Sequence, residues 1–90
     1  MALDKIFFHA IKKEREKQDK KWGYPQVHTL PEWMMILAEE RGEADAEANE
    51  VHFRDKQEYD LIEELVHEAA VVMAIYESIY ERRIVKKDRL

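Results

Sequence analysis

Two stretches of this 90-residue chain carry side chains whose spacing suits chemistry. "AEERGEADAE" (38–47) sets Glu39 beside Glu40 with Glu43 one turn on, and "EELVHEA" (63–69) sets Glu64, His67 and Glu68 within a turn of one another. Residues three or four apart share a helix face. Glu40 therefore pairs with Glu43, and its face runs back through Leu37, Ile36 and Trp33. Glu64 pairs with His67 and Glu68, and that row continues into Val71, Ala74 and Ile75. Carboxylates in line with apolar surface repel one another and lose hydration, which raises their pKa values and destabilises the fold unless a cation or basic partner compensates. Mg²⁺ or Mn²⁺ does so with oxygen ligands and keeps positions open for phosphate oxygens. Such an ion neutralises charge on a triphosphate and helps position water for in-line attack. The plainer alternative is a solvated acidic surface, with His67 a histidine at the edge of the core.

Those residues need helices to position them. With only two glycines and two prolines, and long runs of Ala, Glu, Lys, Arg, Met and Leu, the chain favours helix nearly throughout. A first helix is expected from about Leu3 to Lys21, with an apolar stripe (Ile6, Phe7, Ala10, Ile11) in its first half and a second half polar all round. Gly23, Pro25 and Pro31 break the pattern and define a loop at 22–31, and Thr29 followed by Glu32 resembles a capping box. A second helix follows from Pro31 or Glu32 to Asn49. "EVHFRD" turns the chain around residues 52–55, and a third helix runs from Lys56 or Glu58 to Arg83, leaving a charged tail at 84–90. Antiparallel pairing of helices two and three brings Glu40 and Glu43 level with Glu64–Glu68. Trp33, Ile36, Leu37, Leu61, Leu65, Ala69, Val72, Met73 and Tyr76 read as packing residues, and the wide apolar coverage of 69–76 points to a second subunit. The expectation is a single all-α domain over residues 1–90, a helical bundle completed by oligomerisation into a dimer or tetramer.

Charge placement narrows the partners. The net charge of −5 is concentrated in residues 32–68, where thirteen acidic side chains face three basic ones. A nucleic-acid backbone needs a coherent basic surface, so nucleic acid is not expected as a ligand. The absence of cysteine excludes disulfides, thiolate metal sites and cysteine nucleophiles. Charges interrupt the start of the chain, and the most apolar stretch, near 69–76, is far too short to span a bilayer, so no membrane is expected and a cytoplasmic protein is.

Together, "EREKQDKKWG" (14–23), His28, "WMMILAEERGEADAEAN" (33–49) and "EELVHEAAVVMAIYESI" (63–79) resemble the MazG-like family of the all-alpha nucleoside triphosphate pyrophosphatase superfamily, in particular short single-domain forms found in bacteria and their phages. The resemblance implies hydrolysis between the α and β phosphates of a nucleoside or deoxynucleoside triphosphate, releasing the monophosphate and pyrophosphate, with Mg²⁺ held by carboxylates from two helices of an oligomer. It implies that Glu40 and Glu43 form the first metal pair, that Glu64 opens the second, and that the catalytic Glu39 orients or deprotonates the attacking water. The fourth family position is usually aspartate and here is His67. Neutral imidazole suits Mn²⁺ better than Mg²⁺, so Glu68 or a water re-forms the pocket, or the pocket is weakened. On the substrate side, Lys20 or Lys21 would meet phosphate, Trp22 would stack on a base or pin the loop, and His28 lies in that loop. The alternative function is a non-catalytic nucleotide- and metal-binding module, or a structural helical oligomer.

Overall fold

The computed structural model describes the backbone of residues 2–88 and the side chains of residues 2–81. Three helices and no strand are found among the described residues: α1 (Leu3–Trp22), α2 (Leu30–Arg54) and α3 (Tyr59–Asp88). The all-α expectation holds at this level. The loop after α1 begins at Gly23, whose φ of 88° is open to glycine and strained for residues with a Cβ. Its N–H closes the end of α1 on the Asp19 carbonyl at 2.8 Å. The start of α2 is fixed by the capping box: the Thr29 N–H donates to Glu32 Oε1 at 2.8 Å, and the Glu32 N–H donates to Thr29 Oγ1 at 3.3 Å. A cap of this kind contributes about 1 kcal/mol by satisfying otherwise orphaned donors.

The turn expected at 52–55 lies later, because α2 continues through "EVHF" to Arg54. What ends it is Asp55, which takes the left-handed conformation (φ 54°) that Asp tolerates better than most residues. Its N–H returns to the Glu50 carbonyl. Lys56 then ties the two helices across the turn, with Nζ 2.7 Å from Glu47 Oε2 and 3.0 Å from Asp60 Oδ2. These contacts push its pKa up, first through the Glu47 hydrogen bond and then through Asp60. At its far end α3 extends beyond Arg83 to Asp88, so the backbone of most of the expected tail is helical. Residues 89 and 90 and all side chains from 82 onward lie outside the described residues.

α3 is the central element. It packs against both α1 and α2, whereas α1 and α2 do not pack on each other among the described residues. Trp33 of α2 anchors the core with Val71, Ala74 and Ile75 of α3, flanked by Ile36, Leu37 and Ile79. Small side chains, Ala44 on α2 and Ala70 and Ala74 on α3, are buried at 6% exposure or less, and small contact residues let helix axes approach closely. The inward row of α3 is therefore the one that continues from Glu64 and His67. Leu65, Val72 and Tyr76, expected as packing residues, are instead exposed on a different face of this chain. The stripe on α1 differs as well. Ile6 and Phe7 are about half exposed, and the buried positions are Ile11 and, in the half expected to be polar all round, Gln18 at 5%. Arg15 explains how a polar stretch packs: its guanidinium donates to Gln18 Oε1 and Asp19 Oδ1, and its Nε lies 3.6 Å from Glu77 Oε1 of α3.

Candidate functional site

The antiparallel pairing of α2 and α3 brings Glu40, Glu64 and His67 together, with one donor atom from each lying within 4.8 Å of the others. All three are partly buried. The reason is register: Glu40 stands seven residues after Trp33 on the face that packs on α3, and Glu64 and His67 precede Val71 on the opposing face. The carboxylates at this junction sit where apolar packing gives way to solvent.

Electrostatics at the junction are unfavourable for bare carboxylates. Burial, followed by the nearby Glu43 charge, pushes the Glu40 carboxyl above its ordinary range, with Glu64 and Glu14 adding to the effect and His67 opposing it. Burial also raises Glu64, then a hydrogen-bonding contact with Glu43, again opposed by His67. Glu40 Oε2 and Glu64 Oε2 are both buried without a hydrogen-bond partner. An unpaired buried acceptor costs about 1–3 kcal/mol, and more when charged.

These residues fit a divalent ion. Two orphaned carboxylate oxygens beside one imidazole form a mixed oxygen and nitrogen donor set, which suits Mn²⁺ or a similar borderline ion. Mg²⁺ would rely on the carboxylates and water. Glu43 stands at the rim: its side chain is exposed and outside the converging trio, yet close enough to act on both Glu40 and Glu64. Glu68, one residue past His67 and so about 100° around the helix, is also outside the trio. It contributes to the field on Arg41, whose pKa is raised first by its hydrogen bond to Asp45, then by the charges of Asp45 and Glu68.

Beside the trio, the gap between α1 and α2 forms a groove of about 680 Å³. Gln18 and Trp22 of α1, the loop residues Gln26 and His28, Glu39 and Glu40 of α2, and Val71 and Ala74 of α3 are among the residues that line it. This volume lies within the range of small-molecule sites, about 300–1,000 Å³. Glu40 thus belongs both to the trio and to the groove wall, with the exposed Glu39 next to it. Trp22 is also largely exposed, and Lys21 Nζ lies over its ring, 4.8 Å from the centroid. Lys20 is exposed and, like Lys21, does not line the groove. His28 Nε2 is 3.1 Å from Gln26 Oε1, and the His28 ring meets Trp33 edge-on at 4.7 Å, so this histidine is braced by the fold as well as facing the groove.

Two residues here are not among the site candidates that the sequence suggests, although Gln18 continues the helical repeat of Ile11. Gln18 forms part of the groove wall, and Glu14 reaches the trio from α1, with Oε1 3.4 Å from His67 Nε2. Their signal was present as spacing: Ile11, Glu14 and Gln18 share one helix face, and Ile11 is buried. No family model, curated protein or solved structure matches the chain. Among the described residues no helix is long and apolar enough to cross a membrane.

Proposed function

We propose that this protein is a metal-dependent nucleoside triphosphate pyrophosphohydrolase acting on cytoplasmic nucleotides, releasing the monophosphate and pyrophosphate. The observation that carries the reading is the convergence of Glu40, Glu64 and His67, two of them with orphaned buried oxygens, at the edge of a nucleotide-sized groove. In this reading Glu40, Glu64 and His67 hold the ion, with Glu43 at the rim adding negative charge. The bound ion supplies charge neutralisation for the phosphates and lowers the pKa of water. Glu39 accepts a proton from the attacking water at its exposed carboxylate, beside the groove that Glu40 also lines. Trp22 offers an aromatic face to a base, and Lys20 and Lys21, on the last turn of α1, add positive charge near the mouth. Nucleotides incubated with the protein and Mn²⁺ or Mg²⁺ are expected to yield pyrophosphate rather than orthophosphate. Binding without turnover across a panel of ribo- and deoxyribonucleotides would favour the non-catalytic alternative, and neither binding nor turnover would end the nucleotide reading altogether.

Association of chains is part of the same proposal. Ile62, Leu65, Ala69, Val72 and Tyr76 recur on α3 at alternating spacings of three and four, the pattern of a helix seam that packs against another helix. Ile62, Leu65, Val72 and Tyr76 are exposed in the single chain, Tyr76 at 68%. A second copy covering this seam gives the dimer or tetramer expected from the sequence, with α3 buried on both sides. Sedimentation at low micromolar concentration is expected to return at least a dimer; a compact monomer would contradict it.

A further inference from the structure

The histidine of the trio has a carboxylate on each side. His67 Nδ1 lies 3.4 Å from Glu64 Oε2, the orphaned oxygen, while Nε2 lies 3.4 Å from Glu14 Oε1 on α1 and 3.8 Å from Glu63 Oε1 on its own helix. Glu14 is the more enclosed of the two carboxylates near Nε2, with a side chain 17% exposed against 65% for Glu63. Neutral imidazole carries one N–H and one lone pair, and the hydrogen resides where an acceptor receives it. A hydrogen on Nε2 directed at Glu14 leaves the Nδ1 lone pair facing the orphaned Glu64 oxygen. Two lone pairs brought together in this way repel unless a cation lies between them.

We propose that Glu14 is a positioning residue that fixes the His67 ring with Nε2–H toward α1, so that Nδ1 serves with Glu40 and Glu64 as a nitrogen ligand and tunes the site toward ions that accept imidazole, such as Mn²⁺, over Mg²⁺. The inference rests on the metal-site reading and adds a third helix to the site. A carboxylate behind a ligating histidine orients its ring and raises its basicity, and losing such a partner typically weakens metal binding by about 10–100-fold. Because Mg²⁺ takes imidazole poorly, its affinity depends little on this arrangement. Glu14→Gln keeps an oxygen that accepts from Nε2–H, so it restores much of what Glu14→Ala removes.

The test uses Mn²⁺ and Mg²⁺ without nucleotide. Calorimetry is expected to show Mn²⁺ affinity falling about 10–100-fold in Glu14→Ala and much less in Glu14→Gln, with Mg²⁺ affinity nearly unchanged in both. Pulsed electron paramagnetic resonance of bound Mn²⁺ is expected to show nitrogen coupling in the wild type and none in His67→Asp. In the His67→Asp background, Glu14→Ala is expected to add little further loss, because its target has been removed. Equal losses for both ions, or a Glu14→Gln as damaging as Glu14→Ala, would overturn the positioning role in favour of general packing or direct ligation. Wild-type protein that binds Mn²⁺ without nitrogen coupling would overturn this inference and leave the metal site standing. Failure of the wild type to bind either ion would overturn both.

Discussion

Replacing Glu40 with Gln is expected to lower nucleotide hydrolysis by at least about 100-fold, corresponding to a few kcal/mol of transition-state stabilisation supplied through the bound ion. Glu40 belongs to both the trio and the groove wall, so its charge is central to the proposed chemistry. Gln keeps nearly the same shape and leaves the packing of α2 on α3 in place. The metal-free protein should become more stable. Glu40 and Glu64 hold their protons more tightly in the folded chain than in the unfolded one, because burial and neighbouring carboxylates disfavour their charged forms. Their destabilising contribution is absent below the unfolded carboxylate range, grows as pH rises through it, and is complete above the raised folded values. Apo wild type therefore loses stability relative to Glu40→Gln as pH climbs from about 4. Ion binding runs in the opposite direction, weakening as pH falls into the window where both carboxyls take up protons. Parallel melts of wild type and Glu40→Gln across this range, with and without Mn²⁺, check both halves. Equal Mn²⁺ stabilisation of the two proteins would remove Glu40 from the site.

The parts of the site legible in the sequence are those governed by helical spacing alone. Glu40 to Trp33 is two turns on one helix, and Glu64 to Val71 is two turns on another. Once the chain turns back after α2, these two rows must meet, and the displacement of the turn from residues 52–55 to Asp55 and its successors does not change which faces pack. Glu14 is less legible. It sits among Lys12, Lys13, Glu16 and Lys17, so the face it shares with Ile11 and Gln18 is its one local sign, and the packing of α1 on α3 is what encloses that face. Arg15 helps a polar stretch to pack: its pair with Asp19 is a local one, four residues apart on the same helix, but its contact with Glu77 of α3 is long-range and no local pattern specifies it. For Leu65, Val72 and Tyr76 the difficulty is that an apolar row on a helix reads the same whether its partner lies in the same chain or in another.

Trp33→Ala is expected to have the largest effect on folding, about 3–5 kcal/mol, the typical cost of truncating a buried aromatic side chain. Trp33 is 3% exposed and is the one large aromatic in the core cluster, where it meets Val71, Ala74 and Ile75. It also lines both the 680 Å³ groove and a neighbouring cavity of about 290 Å³, so its removal leaves space that the surrounding helices have little material to fill. Native domains of this kind are stable by only about 5–15 kcal/mol, so the variant is expected to be partly or largely unfolded. Trp33→Phe separates packing from polarity. The indole Nε1 is buried without a hydrogen-bond partner, so Phe discards a donor that is already unsatisfied and keeps an aromatic ring against His28 and α3. Phe is smaller than Trp and leaves part of that space open, so a cost is expected, but one clearly below that of Trp33→Ala. Because Glu40 lies two turns further along the same face, its register with Glu64 depends on this contact. Trp33→Phe should therefore retain Mn²⁺ binding, whereas Trp33→Ala should lose binding together with the fold. Urea unfolding at a fixed protomer concentration, which holds the contribution of association constant, checks the pair. A loss below about 1 kcal/mol for Trp33→Ala, well under the buried-aromatic range, would mean that the α2 and α3 packing is maintained chiefly by contacts beyond this cluster, and the seam on α3 would be the first place to look for them.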